Sequence, residues 1–479
     1  MNRRQFVSVL GGVVAATASP EWGFGQGGAA AAKPPNIVLI LSDDHSAEFL
    51  GCYGNEHVKT PNLDRFAAEG VRCDRAYVTS PQCVPSRASL MTGQSPVRIQ
   101  MTRFSAALPL DVRTFPESLR AGGYHTGLCG RTFHLDGSRL PPESQRVFEK
   151  YELKTFPRRM DYVRSGGRRL VPVQVRAFLD GVPAGKPFFL QVGFDDPHRP
   201  FNAPKVHDPQ TLTLPPHFPD TPGVRRDLAA HYDEIARLDA DVGDLLKTFE
   251  TRGLTKDTLF VFMGDNGGAL LHGKGTLYEL GIRVPLLLRW AGVVRPGSTT
   301  DALISGEDIA TTLLEAAGIP APKEMQGRSF LPLLRGQPSD KRRYVFAERG
   351  AHGSGLPDGS AAFDLGRCVV SPTHKLIYNA LWQIPYEPVD FGGNPFWKDL
   401  KDRNARGELP PEVAKRYFAP QRKMFELYDL AADPYERRDI SGQAQHAETE
   451  RALKAALQEW MILNRDYVPL PVPPPPQGR

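Results

Sequence analysis

The chain has 479 residues, 41% hydrophobic and 24% charged, which supplies ample material for a packed core and excludes a disordered chain. Its net charge of +5 is modest, so composition points to no nucleic-acid partner. No period of solenoid or propeller length recurs, which excludes a repeat architecture.

Residues 1–32 stand apart from the fold. Arg3-Arg4-Gln5-Phe6-Val7 leads into an apolar Gly/Ala-rich run from Val7 to Ala18, the pattern of a twin-arginine export signal and linker. At about 12 residues the run is too short to cross a bilayer, and nothing downstream reaches that length. The expectation is a periplasmic or secreted protein with no membrane span in its mature form.

Residues 33–340 read as the larger, catalytic domain. Residues 36–42 form a continuous apolar run, the mark of a strand buried on both faces of a parallel sheet. Residues 60–69 read as a helix with Thr60 as N-cap, Pro61 at its first position and Leu63, Phe66 and Ala67 on one face. Further strands are expected at 127–129, 187–194, 258–263 and 284–289. Leu228, Tyr232, Ile235, Leu238, Val242, Leu245 and Phe249 recur at helical spacing, and Ile309, Leu313, Leu314 and Ala317 mark another helix stopped by Gly318. This alternation predicts an α/β fold, a large mostly parallel or mixed sheet sandwiched by helices. Residues 341–465 read as a smaller C-terminal α+β domain, with short antiparallel strands at 344–348, 367–370 and 375–378 and a helix at 447–463. Residues 466–479 read as a proline-rich tail.

Chemistry concentrates at the carboxyl ends of predicted strands, where open α/β sheets place their ligands. Asp43 and Asp44 end the first strand, Asp196-Pro197-His198 follow the 187–194 strand, and Asp265-Asn266 follow the 258–263 strand. Converging there, Asp43, Asp44, Asp265 and Asn266 would repel without a cation. Calcium, a hard ion taking six to eight oxygen ligands, resolves that repulsion, and magnesium is the stricter alternative. The plainer reading is that each pair caps a following helix.

The chain has five cysteines, Cys52, Cys73, Cys83, Cys129 and Cys368, with no CxxC pair. An odd number in an exported protein leaves an unpaired thiol or a modified residue. Cys83 lies in Pro81-Gln82-Cys83-Val84-Pro85-Ser86-Arg87, ahead of a helix, where the helix dipole and Arg87 would favour a thiolate. The alternative is a buried structural cysteine.

Cys83-Val84-Pro85-Ser86-Arg87, with Ala88-Ser89-Leu90 and Thr92-Gly93, resembles the C-x-P-S-R signature of type I, formylglycine-dependent sulfatases. The resemblance runs over nearly the whole chain beyond the leader: 36–44, Tyr53-Gly54, 60–64, Gly264-Asp265-Asn266-Gly267, Lys274-Gly275-Thr276, Gly281-Ile282-Arg283-Val284-Pro285, and Leu427-Tyr428-Asp429-Leu430 with Asp433-Pro434. It implies an alkaline-phosphatase-like fold and one calcium ion held by Asp43, Asp44, Asp265, Asn266 and the modified Cys83. It implies that a formylglycine-generating enzyme oxidises Cys83, and that the hydrated aldehyde attacks sulfur and later expels sulfate, which serine cannot do. Arg87 and Lys274 would neutralise sulfate oxygens. His134 would be the base and His198 the proton donor to the leaving group, roles that could be exchanged. The family usually has lysine where this chain has Arg131, so Arg131 can hold charge but is poorly suited to proton transfer.

Residues 194–200 and 221–232 resemble heparan N-sulfatases, while 130–134 resembles iduronate-2-sulfatases. Together they imply a sulfated saccharide, a glycosaminoglycan fragment attacked at a chain end. Rivals are a phosphodiesterase or phosphonate monoester hydrolase of the same superfamily, an inactive saccharide-binding relative, and a thiol hydrolase using unmodified Cys83. His45 reads as a neighbour of the acidic pair and not a ligand, and His272 as a candidate substrate contact. Arg158, Arg159, Arg164, Arg168 and Arg169 read as a solvated loop face or a guide for a polyanion, and the other cysteines as packed thiols or one disulfide.

Overall fold

The computed structural model describes residues 33–471, except 105, 136–141, 154 and 353–358. The expected export signal therefore lies outside the described residues, as does the end of the expected proline-rich tail.

The apolar run Asn36–Ser42 is strand β1, and every one of its residues is buried. Ile37, Leu39 and Leu41 enter one hydrophobic core while Val38 and Ile40 enter the other, so the strand lies between two layers. The remaining strands of its sheet are β2 (Val71–Cys73), β3 (His125–Gly130), β4 (Tyr162–Ser165), β5 (Phe188–Gly193), β6 (Thr258–Gly264), β7 (Leu286–Trp290) and β8 (Ser298–Thr300). They are ordered β4-β3-β5-β1-β6-β7-β2-β8. All pairings are parallel except those of β7, which runs against both β6 and β2. The expected α/β sandwich is thus present, with a mixed edge.

One face is covered by the helix Pro222–Thr251, whose 30 residues span about 45 Å at 1.5 Å per residue. Thr221 caps it by accepting from the Val224 N–H, and Pro222 takes the first position, where no donor is missed. The other face receives the helix Cys83–Thr92, in which all ten residues are buried. The helix Pro61–Ala68 forms as expected, but Thr60 does not cap it. Its hydroxyl instead accepts from the Gly51 N–H at 2.9 Å and donates to Asp64 at 3.1 Å, tying the preceding turn to the helix.

A second sheet, antiparallel, holds β9 (Val345–Arg349), β10 (Gly366–Val370), β11 (His374–Asn379) and β12 (Phe425–Asp429) in that order. Cys368 and Val370 face the main core, while Val369 faces the helix Ala447–Leu463. The segment after that helix is packed as well: Asp466 pairs with buried Arg367 and Val468 is buried.

Candidate active site

Sheet register builds the site. β3, β5, β1 and β6 are parallel neighbours, with Gly130 opposite Gly193, Leu41 opposite Gly193, and Ser42 opposite Gly264. The residues just past these pairs, Arg131, Asp43 and Asp265, therefore emerge together. Glycine is required where the strands turn into the site: a Cβ on Gly130, at φ +81°, would meet the Gly193 carbonyl oxygen at 2.1 Å.

Asp43, Asp44 and Asp265 bring carboxylate oxygens, and Cys83 its sulfur, all within 4.8 Å of one another. The thiol donates toward Asp43 at 3.3 Å and Asp44 at 3.8 Å. The Asp44 N–H donates to Asp265 Oδ1 at 3.0 Å, and Asn266 Nδ2 to Asp44 Oδ1 at 2.8 Å. Asn266 Oδ1 is buried with no hydrogen-bond donor among the described residues. A buried acceptor left open beside three carboxylates is a donor set for a hard cation, so these residues fit calcium.

Fixed cations surround that cluster. Arg87 Nε donates to Asp265 at 2.7 Å and its Nη2 to Asp43 at 3.3 Å. Arg131 is buried, paired with Asp43 through Nε and with Asp195 at 2.8 Å through Nη1. Lys274 Nζ lies 2.9 Å from Asp44 and 2.6 Å from Asp390. His134 Nε2 is 3.6 Å from Asp43, and His198 Nε2 is 3.7 Å from both Asp44 and Asp390. The residues expected to hold metal, charge or a proton (Asp43, Asp44, Cys83, Arg87, Arg131, His134, His198, Asp265, Asn266 and Lys274) thus converge on one centre.

Burial and charge set the ionisation. Burial raises the Asp43 carboxyl, but Arg131, His134 and Arg87 outweigh it and hold Asp43 well below the usual range. Burial, with Asp43 as a like-charged neighbour, lifts Asp265 to about 6. Burial pushes the Cys83 thiol well above its ordinary value, and Asp43 adds to the effect, so the unmodified side chain is no thiolate. His134 is held neutral, first by burial and then by Arg87. Burial works against the charge on Lys274, yet Asp44 outweighs it and keeps the amine protonated.

Two site residues escape a reading of the sequence. Asp390, from the segment between β11 and β12, holds Lys274 and lies 3.6 Å from His352, which in turn contacts Gln82 at 3.0 Å. Neither belongs to a patterned stretch, and the only local sign is the turn at Gly392-Gly393. Other expectations are corrected. His272 is buried, stacked on Tyr278 at 4.3 Å and edge-on to Tyr386 at 5.1 Å, so it supports the Lys274 loop from within. Arg159 is no solvated residue: it is buried, donating to Glu117 at 2.8 Å and to the Val112 carbonyl at 2.7 Å. Arg168 pairs with Asp241 at 2.6 Å, while Arg158, Arg164 and Arg169 are exposed. All five cysteines are free thiols.

Above the centre opens a groove of about 780 Å³ between His198–Phe201, the first turns of the helix Pro222–Thr251, and residues 390–396. No helix of the described residues is long and apolar enough to cross a membrane.

The sulfatase family profile matches residues 35–319. The chain is 28% identical over 463 residues to an ulvan-active sulfatase of Formosa agariphila, covering 94% of this chain and 85% of that protein. It is also 28% identical over 489 residues to human N-sulphoglucosamine sulphohydrolase, covering 91% of each. Among solved structures, a phosphonate monoester hydrolase from Silicibacter pomeroyi superposes with a TM-score of 0.68 at 21% identity, covering 91% of this chain and 96% of the other. That last likeness establishes the fold, which the two kinds of hydrolase share. The chain belongs to the sulfatase family. It is an enzyme that hydrolyses sulfate esters.

Proposed function

We propose that the protein removes sulfate from the end of a sulfated saccharide, a glycosaminoglycan fragment, using formylglycine made from Cys83 and one calcium ion. The observation that carries this reading is the buried set Asp43, Asp44, Cys83 and Asp265, closed by the open acceptor of Asn266 and ringed by Arg87, Arg131 and Lys274. When present, formylglycine supplies a hydrated aldehyde as nucleophile and calcium supplies charge against the sulfate oxygens.

The chain's own residues account for the remaining roles. Five carboxylates, counting Asp390 and Asp195, face three fixed cations, so a divalent ion would bring the balance to neutrality and remove the repulsion of an anionic ester. Arg87 and Lys274 bind sulfate oxygens as permanent cations. His134, neutral and beside Asp43, takes up a proton. His198, where the centre meets the groove, delivers one to the leaving oxygen or nitrogen. Arg131 holds charge and moves no proton. The saccharide assignment leans on the two relatives named above and on the resemblance of 194–200 and 221–232 to heparan N-sulfatases. An export leader at 1–32 would carry the enzyme to the periplasm or beyond, by a route that accepts protein already folded and modified.

Enzyme from its native host should show loss of the Cys83 thiol by peptide mass spectrometry and bound calcium by elemental analysis. It should release sulfate from heparin disaccharides bearing N-, 2-O- or 6-O-sulfates, assayed beside chondroitin and carrageenan oligosaccharides. An unmodified Cys83 in fully active enzyme overturns the mechanism. Turnover of aryl sulfates without any saccharide overturns the substrate. Faster turnover of an aryl phosphonate than of any sulfate favours the phosphonate hydrolase whose fold is shared.

A further inference from the structure

The groove above the centre has a charge pattern that the sulfate chemistry does not use. Arg199 and Asp227 form its floor and satisfy each other: Arg199 donates both Nη groups to the two Asp227 oxygens, Nη1 at 2.8 Å, and its Nε to the Ala269 carbonyl at 3.0 Å. The same guanidinium is clamped between Phe201 and Phe391, 4.1 Å and 5.1 Å from their ring centres. This pair is a fixed, neutral element. Asp390, at the inner end, is engaged by Lys274 and His352. His198 is directed at Asp44 and Asp390. One charge then remains. Arg226, in the second turn of the helix Pro222–Thr251, lines the groove, is exposed, and has no hydrogen bond or ion pair among the described residues.

We infer that Arg226 selects substrates whose leaving sugar carries a second anion, a carboxylate or another sulfate, in addition to the sulfate that is cleaved. The inference rests on the saccharide reading above, since it assigns the groove to the leaving group. His198 lines the groove and touches the acid cluster, so a leaving sugar protonated by His198 extends into the groove that Arg226 also lines. A guanidinium presents parallel N–H donors that match two oxygens of a planar carboxylate or one face of a sulfate. Neighbouring Asp227 is neutralised by Arg199 and makes no ion pair with Arg226 among the described residues. A neutral sugar would leave Arg226 in water with nothing to gain from its position.

The test compares three sulfated disaccharides that differ only on the leaving sugar: a uronate, the same sugar with its carboxylate reduced to an alcohol, and the reduced sugar bearing a second sulfate. Wild-type enzyme should favour at least one anionic form over the neutral form by about tenfold in kcat/KM, the worth of one charge-assisted hydrogen bond, mostly through KM. Which form is favoured tells carboxylate from sulfate. Arg226→Ala should reduce that ratio to near unity, Arg226→Glu should invert it, and Arg226→Lys should keep most of it. An equal rate on all three, or a preference that survives Arg226→Ala, overturns the inference while leaving a saccharide sulfatase. Turnover of p-nitrophenyl sulfate with none of the three disaccharides overturns the saccharide reading itself, and this inference with it.

Discussion

At the floor of the cleft, charged groups from separate strand ends are buried and each is held by another. Along the groove above, the charges come from one helix turn and nearby loops, and Arg226 stands in solvent. The floor is fixed by sheet register, so moving one strand would disturb every partner. The groove is assembled on positions that can change without touching that register. Reaction and selectivity are therefore separable in this molecule, and substitutions in the two regions should differ in kind: losses of kcat below, shifts of preference above.

The strongest break of the floor is Asp265→Ala. It removes one carboxylate of the cluster and the partner of Arg87 Nε, so bound metal and activity should fall together, the rate by on the order of 10³-fold. Elemental analysis beside kinetics reads both, and metal retained with full rate would show that the floor is not one unit. Asp390→Asn comes next. Lys274 loses a carboxylate at 2.6 Å, and a misplaced cation costs about 10²-fold. Removing that carboxylate also lowers the Lys274 pKa, so the alkaline limb of the kcat–pH profile should move to lower pH. An unmoved limb would leave Asp390 a purely structural anchor. Arg131→Lys keeps the charge but loses the fork spanning Asp43 and Asp195, for an expected loss of about tenfold in kcat/KM.

The smallest effect is one of stability, not of rate or preference, and guards the comparison against simple unfolding. Burial holds His45 at about 4 and His217 at about 3, against an ordinary value of 6.5. The unfolded chain therefore binds more protons than the folded one below pH 6.5. The stability these neutral histidines allow is complete above that pH and is lost progressively as pH falls toward 4. Buried acids such as Glu307 and Glu348, raised to about 7, pull the other way, so the test is a difference: His217→Gln should lose less melting temperature than the wild type as pH falls from 7 to 4, and parallel curves would contradict the burial of His217.

How much of this was legible follows the same division. β1 and its acids could be read directly, because an uninterrupted apolar run ending in Asp43-Asp44 has few other foldings. Cys83 and Arg87 stand in a contiguous motif. Asp390 and His352 could not be read, since their place depends on a loop returning from the second sheet to meet Lys274, and a single sequence does not encode that encounter locally. Arg159 shows the converse. Its run of arginines looks like a solvated face, yet one member carries its charge inward because Glu117 and several carbonyls await it. Thr60 occupies the N-cap position but its hydroxyl accepts from the turn before the helix, a choice between N–H donors that composition leaves open.

The wholly buried helix that begins at Cys83 imposes a chronology on the enzyme. A sulfur with no exposed surface, beneath three carboxylates and behind Arg87, offers no approach for a second protein once the sheet has closed. Any catalyst that alters this side chain must reach it before the chain has folded, before Arg87 reaches Asp265. The fold is thus a deadline, and chains that miss it are sealed with the thiol inside.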